Sequence, residues 1–326
     1  MSCLKQNNIQ VQEEVISRIV INKPQLKAKK TLIKEVNMFQ HFIITRFNLR
    51  RADWKTTKNS EEVLTETWLK NRFTLFENYC LPSVKNQKNQ NFKWLVFLDT
   101  NTPEIYKEKI TSYNFENLLP FFIDGMDNFL PSIKEKIKEL NTTDYIITSR
   151  LDNDDSLHMN HVGLVQSMFD RQKFMAVDII DGYGMQTGDK VKLGRMRHLF
   201  NPYISLIESV ADDFETVWFR GHTYWKFEDK ITRVKGKPSW LTIIHQENKS
   251  NRFRGFGKVR QESLDDFNIE KEKLVELKAR FFDSNHWFVQ NIKNRWYCFA
   301  AFYGKEVKKK IGFYKLKGLF AKNEFD

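Results

Sequence analysis

The chain has 326 residues, 41% hydrophobic and 29% charged, with 28 Phe; this is material for one large folded body and excludes disordered and fibrous classes. Gly and Pro number only 13 and 7, and three scattered cysteines (Cys3, Cys80, Cys298) are too few for a disulfide framework or a zinc site, which points to a reducing compartment. The formal net charge of +12 gathers at the two ends: residues 1–37 carry seven Lys/Arg against three Glu, and residues 291–326 carry nine Lys/Arg against three acids.

Residues 1–12 are polar and no apolar stretch follows, so no export signal is expected. The longest apolar run, 296–303 (WYCFAAFY), is far short of a membrane span. A cytoplasmic protein is the expectation. Residues 1–37 read as an accessory extension, and the catalytic fold is expected over 38–255. Within it, 41–47 (HFIITRF), 93–99 (KWLVFLD), 118–124 (LLPFFID) and 145–152 (YIITSRLD) are nearly continuous apolar runs ending in polar residues. Such runs suit parallel strands covered on both faces. Helical patterns separate and follow them at 62–85, 103–113, 128–140 and 161–172. The β-α-β-α-β-α-β order predicts a doubly wound α/β domain with a mostly parallel sheet.

Beyond residue 173 the pattern predicts strands at 174–181, 190–197 and 215–219, a hairpin turn at 187–190, and helix over 263–283. Residues 256–326 read as a helical, basic and aromatic segment. Its 308–320 stretch (KKKIGFYKLKGLF) interleaves Lys with aromatic residues. Either it docks on the domain with its lysines in water, or it lies on an anionic membrane surface; nucleic acid is a weaker third reading. On the membrane reading, truncation after Asn291 is expected to lower vesicle binding more than turnover.

Ligands of open α/β sheets bind outside the carboxyl ends of the strands. The densest acidic cluster of the body stands at such an end, in Arg150-Leu151-Asp152-Asn153-Asp154-Asp155-Ser156. Three carboxylates in four residues repel one another unless a cation sits among them, and Mg²⁺ or Mn²⁺ is the natural candidate. On an extended backbone Asp152 and Asp154 would point the same way. A Ca²⁺-binding EF-hand loop is a poor fit, because its sixth and twelfth positions would be Leu157 and Gly163. The competing reading is an acidic N-cap for the helix at 161–172, which one Asp would satisfy.

An Asp-x-Asp run after the fourth strand resembles the signature of GT-A glycosyltransferases. More narrowly, HFIITRFN, WLKNRFTLFENYCLPSVKNQ, NFKWLVFLDTNTPE, ITSRLDNDDS and WLTIIHQEN resemble a bacterial rhamnosyltransferase family, over about 41–254. The resemblance implies sugar transfer from a nucleotide-diphosphate donor to a glycan acceptor in surface-polysaccharide assembly. It implies that Asp152 and Asp154 hold the metal against the diphosphate, offsetting charge on the leaving group, with Asp155 on metal or donor sugar. Arg46 and Asn48 after the first strand and Asp99 after the second match nucleoside-binding positions; Asp99 alternatively initiates a turn. Arg150 would contact phosphate or sugar, or else pair with the Asp cluster. A later His is a further metal ligand in several GT-A enzymes; His245, after the run 240–244, is the first candidate and His222 the rival.

Inverting transfer needs a general base. Glu208 is the candidate, because its apolar neighbours would raise its pKa, and Asp181 the second choice; alternatively Glu208 is a solvated helix residue. Nothing in these residues selects rhamnose over galactofuranose or another hexose. A metal-dependent phosphohydrolase or nuclease built on Asp152–Asp155 is the competing enzyme class, and a non-catalytic module for anionic surfaces the competing binding class. No P-loop or dinucleotide fingerprint is present.

Overall fold

The computed structural model describes residues 38–51, 64–211, 213–245 and 252–318. Contacts divide the chain into two compact units, Met1–Phe39 and Gln40–Asp326; the first lies almost wholly outside the described residues, and with it the expectation for 1–37.

The four continuous apolar runs are strands: β1 (Phe39–Arg46), β2 (Lys93–Asp99), β3 (Leu118–Ile123) and β4 (Tyr145–Arg150). Parallel pairing joins β1 to β2 and β2 to β3. Contacts His41–Ser149, Ile44–Leu151 and Phe47–Asn153 rise together in number, so β4 runs alongside β1 in the same direction. Period-two alternation then feeds two cores. Phe42, Ile44, Leu95 and Phe97 pack on one face, and Ile43, Trp94, Val96 and Leu98 on the other.

Helices cover both faces. The stretch read as one helix over 62–85 is α1 (Glu66–Leu75), a wider π turn (Phe76–Cys80) and α2 (Leu81–Lys85). Thr65 caps its start through Trp68 N, and Pro82 explains the widening. Pro82 has no N–H to offer the carbonyl four residues back, and that carbonyl, of Asn78, accepts from Glu270 N instead at 2.9 Å. The others are α3 (Glu104–Thr111), α4 (Phe129–Leu140) and α5 (His161–Gln166). Phe129, Ile133 and Ile137, spaced four apart, bury the inner stripe of α4.

Past residue 173 the sequence reading needs correction. The expected strand 174–181 is two strands, β6 (Phe174–Ile179) and β7 (Asp181–Gln186), after the short β5 (Ser156–Leu157). The chain leaves one sheet and enters another at Ile180. The hairpin turn joins β7 to β8 (Lys192–Arg197) as expected. Two strands were not foreseen: β9 (Ser205–Ser209) and β10 (Ile231–Val234); β11 (Trp240–Ile244) follows. The main sheet runs β10-β6-β9-β4-β1-β2-β3 and the smaller one β5-β11-β7-β8. Only β9 is antiparallel to its neighbours in the main sheet, to β4 and β6. Residues 215–219 form a loop, not a strand. Its backbone donors go to side chains, Thr216 N to Glu208 and Val217 N to Thr148, and Thr216 has φ +74°.

The expected helix over 263–283 is a 3₁₀ stretch (Gln261–Phe267) followed by α6 (Lys271–Ala279); then come α7 (Phe288–Lys310) and α8 (Phe313–Gly318). Asn294, Cys298 and Phe302 of α7 are buried. Truncation after Asn291 would therefore strip a packed helix and cannot separate surface binding from turnover. That expectation is corrected.

Candidate active site

The chain leaves β4 at Arg150, buries Leu151 in the core, and turns: Asp155 N approaches Asp152 O at 3.4 Å. Because the backbone turns, Asp152 and Asp154 do not behave as neighbours on an extended strand. The Asp152 side chain is 33% exposed, with Arg150 Nη2 3.8 Å away. Asp154 is buried and accepts from Arg72 Nη1 of α1 at 2.7 Å. His245, just past β11, brings Nε2 within 3.0 Å of the same Oδ2. Burial alone would favour the protonated acid; the Arg72 guanidinium and His245 outweigh it and hold the Asp154 carboxyl well below the usual range.

Asp155 faces the opposite balance. Burial and the charges of Asp154 and Asp152 push its carboxyl well above the usual range. Tyr203 donates to one oxygen at 2.6 Å and Ile243 N to the other at 2.8 Å. Tyr203 also meets Thr242 Oγ1 at 2.6 Å and stacks on Trp240 with centroids 4.9 Å apart. A Cβ at Gly182 would lie 2.1 Å from the Trp240 ring, so this aromatic floor requires glycine there. Asn153 ties the turn to β1 by donating to Phe47 O at 3.1 Å.

Arginines thus supply part of the cationic charge that three carboxylates demand. Arg150 lies over the Trp218 ring at 4.1 Å, and Arg46 over the same ring at 5.5 Å. Arg150 therefore stands beside both the cluster and an aromatic face.

The neighbouring strand ends are braced. Asp99 accepts from Arg50 Nε (2.8 Å), Arg50 N (3.1 Å), Asn101 N (2.9 Å) and Gly125 N (3.2 Å). Burial opposes its charge, but the donors of Asn101 and Arg50 hold its carboxyl below the usual range. Asn48 is buried too, donating to Thr102 Oγ1 at 3.0 Å and accepting from Asp99 N at 3.2 Å. Both side chains join the ends of β1 and β2, and Thr102 N on Asp99 O at 2.9 Å makes the turn foreseen as the alternative for Asp99.

Neither expected base reaches the cluster. Glu208 lies on β9 opposite Ile146, at the amino end of β4, four residues or about 13 Å of strand from Arg150. Its oxygens accept from Glu215 N at 3.0 Å and Thr216 N at 2.8 Å, fixing a loop. Burial does push its carboxyl up, as its apolar neighbours suggested, and it is a strand residue, not a solvated helical one. Asp181 opens β7, pairs with Arg197 Nε at 2.7 Å, and its carbonyl accepts from Ser239 N at 3.0 Å. Ser239 precedes Ile243 by four residues, again about 13 Å of strand. His222 stands near His198; it is His245 that the fold brings to Asp154.

Sequence reasoning missed Arg72, Arg50 and Tyr203. All three lie far along the chain from their partners, and only the WLKNR segment around Arg72 fell within a noted motif.

The donor set can be tested against a divalent ion. Two adjacent octahedral ligands at about 2.1 Å from the metal stand about 3.0 Å apart. Asp154 Oδ2 and His245 Nε2 are separated by 3.0 Å. That is the length of such an edge and equally of the hydrogen bond the two groups make. Among the described residues no three His, Cys, Asp or Glu side chains converge on one metal-sized point.

Residues 40–256 match the model of a family described as "Putative rhamnosyl transferase". The chain belongs to that family, whose model spans about two thirds of its length. No curated protein matches. Among solved structures, residues 1–349 of TarS from S. aureus, in complex with UDP, align at 11% identity and TM-score 0.37, over 63% of this chain and 60% of that one. A protein of Desulfovibrio desulfuricans G20 described as a "putative nucleotide-diphospho-sugar transferase" aligns at 10% identity and TM-score 0.34, over 64% and 82%. This chain thus spans less than two thirds of the TarS fragment's length.

Proposed function

We propose that this enzyme transfers a hexosyl group, rhamnose or a related sugar, from a nucleotide-diphosphate donor to a glycan acceptor of a bacterial surface polysaccharide. The observation that carries the reading is the turn after β4, where Asp154 meets His245 at the carboxyl end of the sheet and Asp152 stands partly exposed. Asp154 and His245 would hold Mn²⁺ or Mg²⁺, with Asp152 beside them. The ion, when bound, offsets charge on the departing nucleotide diphosphate.

The remaining work falls to the chain's own groups. Arg72 fixes the Asp154 oxygen in place, so the carboxylate is oriented before donor arrives. Arg150, spread over Trp218, offers a cation to phosphate or sugar at the same rim. Tyr203 and Ile243 N hold Asp155, and Trp240 supports Tyr203 from below. The mixed imidazole and carboxylate pair favours Mn²⁺ over Mg²⁺ in affinity. Inversion was the expectation, with Glu208 or Asp181 as the base it would need; with both residues away from the cluster, the proposal is confined to sugar transfer. A phosphohydrolase would need a second acidic constellation for a two-metal site, whereas the oxygens of Asp155 are engaged by Tyr203 and Ile243.

The test is nucleotide release from a panel of UDP-, dTDP-, GDP- and CDP-sugars with Mn²⁺, Mg²⁺ or chelator. Release from one donor class, dependent on metal and lost in Asp152→Asn, is expected. Release without metal, or undiminished in the variant, would contradict the assignment.

A further inference from the structure

Helix α7 carries apolar residues on its outer face as well as its inner one. The side turned to the domain buries Asn294, Cys298 and Phe302, and polar groups add to its hold. Lys305 donates to Leu199 O at 2.8 Å, and Asn294 to Gly255 O at 2.9 Å. Asn291 accepts from Gly257 N at 2.7 Å, and Glu306 pairs with Arg233. The side turned to solvent carries the large apolar residues: Val289 is 65% exposed, Trp296 73%, Tyr303 58%, Val307 54% and Ile311 68%. Steps of seven, seven, four and four residues are each close to whole helical turns, so these five form one stripe along the helix. Leu316 of α8 extends it at 67% exposure.

An exposed apolar stripe of this length marks a docking surface, and the charge around it selects the partner. Residues 288–318 hold eight Lys/Arg against one Glu, and Lys293, Lys308 and Lys310 are exposed along α7. A second copy would bring two such basic faces together. The first 37 residues are basic as well, seven Lys/Arg against three Glu. An apolar stripe set among cations complements a surface that is apolar below and anionic above, which is the interface of an anionic bilayer.

We propose that the outer faces of α7 and α8 dock this enzyme on anionic lipid bilayers. The helix lies in the interface plane with Trp296, Tyr303 and Val307 in the acyl boundary and the lysines among the headgroups. Among the described residues no helix is long and apolar enough to cross a membrane, and a helix lying on the surface requires none.

The experiment is co-sedimentation of the full chain with vesicles of phosphatidylcholine alone or mixed with phosphatidylglycerol. The wild type is expected to bind only the anionic vesicles and to release as salt rises. The double variants Trp296→Ser/Tyr303→Ser and Lys308→Glu/Lys310→Glu each lower partitioning by about tenfold or more. Both sites are exposed, so melting temperatures should match the wild type. Undiminished binding by either folded variant, absence of wild-type binding, or a solution dimer that Trp296→Ser/Tyr303→Ser dissociates would each overturn the proposal. No sugar donor enters the measurement, so its outcome is independent of the transfer assay.

Discussion

Buried carboxylates stand at both ends of β4 and are held in opposite ways. At the amino end, Glu208 on the paired strand is satisfied by N–H groups seven and eight residues further along the chain. At the carboxyl end, Asp154 and Asp155 take side-chain partners 82, 91 and 48 residues away, in Arg72, His245 and Tyr203. A carboxylate tied to nearby backbone shapes a loop. One surrounded by side chains from separate elements requires the whole fold to place it, and a perturbed carboxyl there is a mark of function more than of stability.

The sharpest contrast lies in breaking each end. Arg72→Met leaves Asp154 buried without its guanidinium and should lower unfolding stability by about 3–5 kcal/mol in denaturant titration. Asp152→Asn touches a partly exposed side chain, so the melting temperature should hold while turnover falls about 10²–10³-fold, or about 2.7–4 kcal/mol of barrier.

Acid separates the frame from the site. Buried His41 and half-buried His198 are pushed down to about 3, and buried His161 to about 4, from 6.5, chiefly by desolvation. They are neutral when folded and take up protons on unfolding, so stability falls as pH drops below 6.5 towards those values. By pH 5 each costs about 2 kcal/mol. Asp178, raised by burial to about 6, binds its proton more readily when folded and offsets part of the loss. Asp154 stays ionised throughout. Unfolding followed by circular dichroism should therefore shift to lower temperature as pH falls from 7 to 5.

The smallest effect belongs to Glu208→Gln. Its amide would face the donors of Glu215 and Thr216, costing about 1–2 kcal/mol, while turnover per folded molecule stays at the wild-type level. A selective loss of turnover would restore Glu208 to the chemistry.

The contrast also explains what the sequence disclosed. Four apolar runs marked β1 to β4 because a parallel strand buried on both faces needs no distant partner to be recognised. The acidic turn after β4 and His245 after β11 were legible for the same reason. By contrast β9, with Glu208, is central only because it slots antiparallel between β4 and β6, and its five residues carry no signal of that. Arg72 sits in a helix with ordinary neighbours; its role arises from packing against a turn 82 residues on. The outward stripe of α7 was hidden because spacing identifies a stripe but not which way it turns.

The most direct test is a thermal-shift series with UDP, dTDP, GDP and CDP, each with Mn²⁺ or chelator, on wild type, Asp152→Asn and Glu208→Gln. A ligand bound only by the folded state raises the midpoint in proportion to its affinity. One diphosphate should stabilise the wild type and Glu208→Gln only with metal, and fail to stabilise Asp152→Asn. Stabilisation that survives Asp152→Asn, or that ignores the chelator, would contradict a metal-assisted donor site at the carboxyl end of β4.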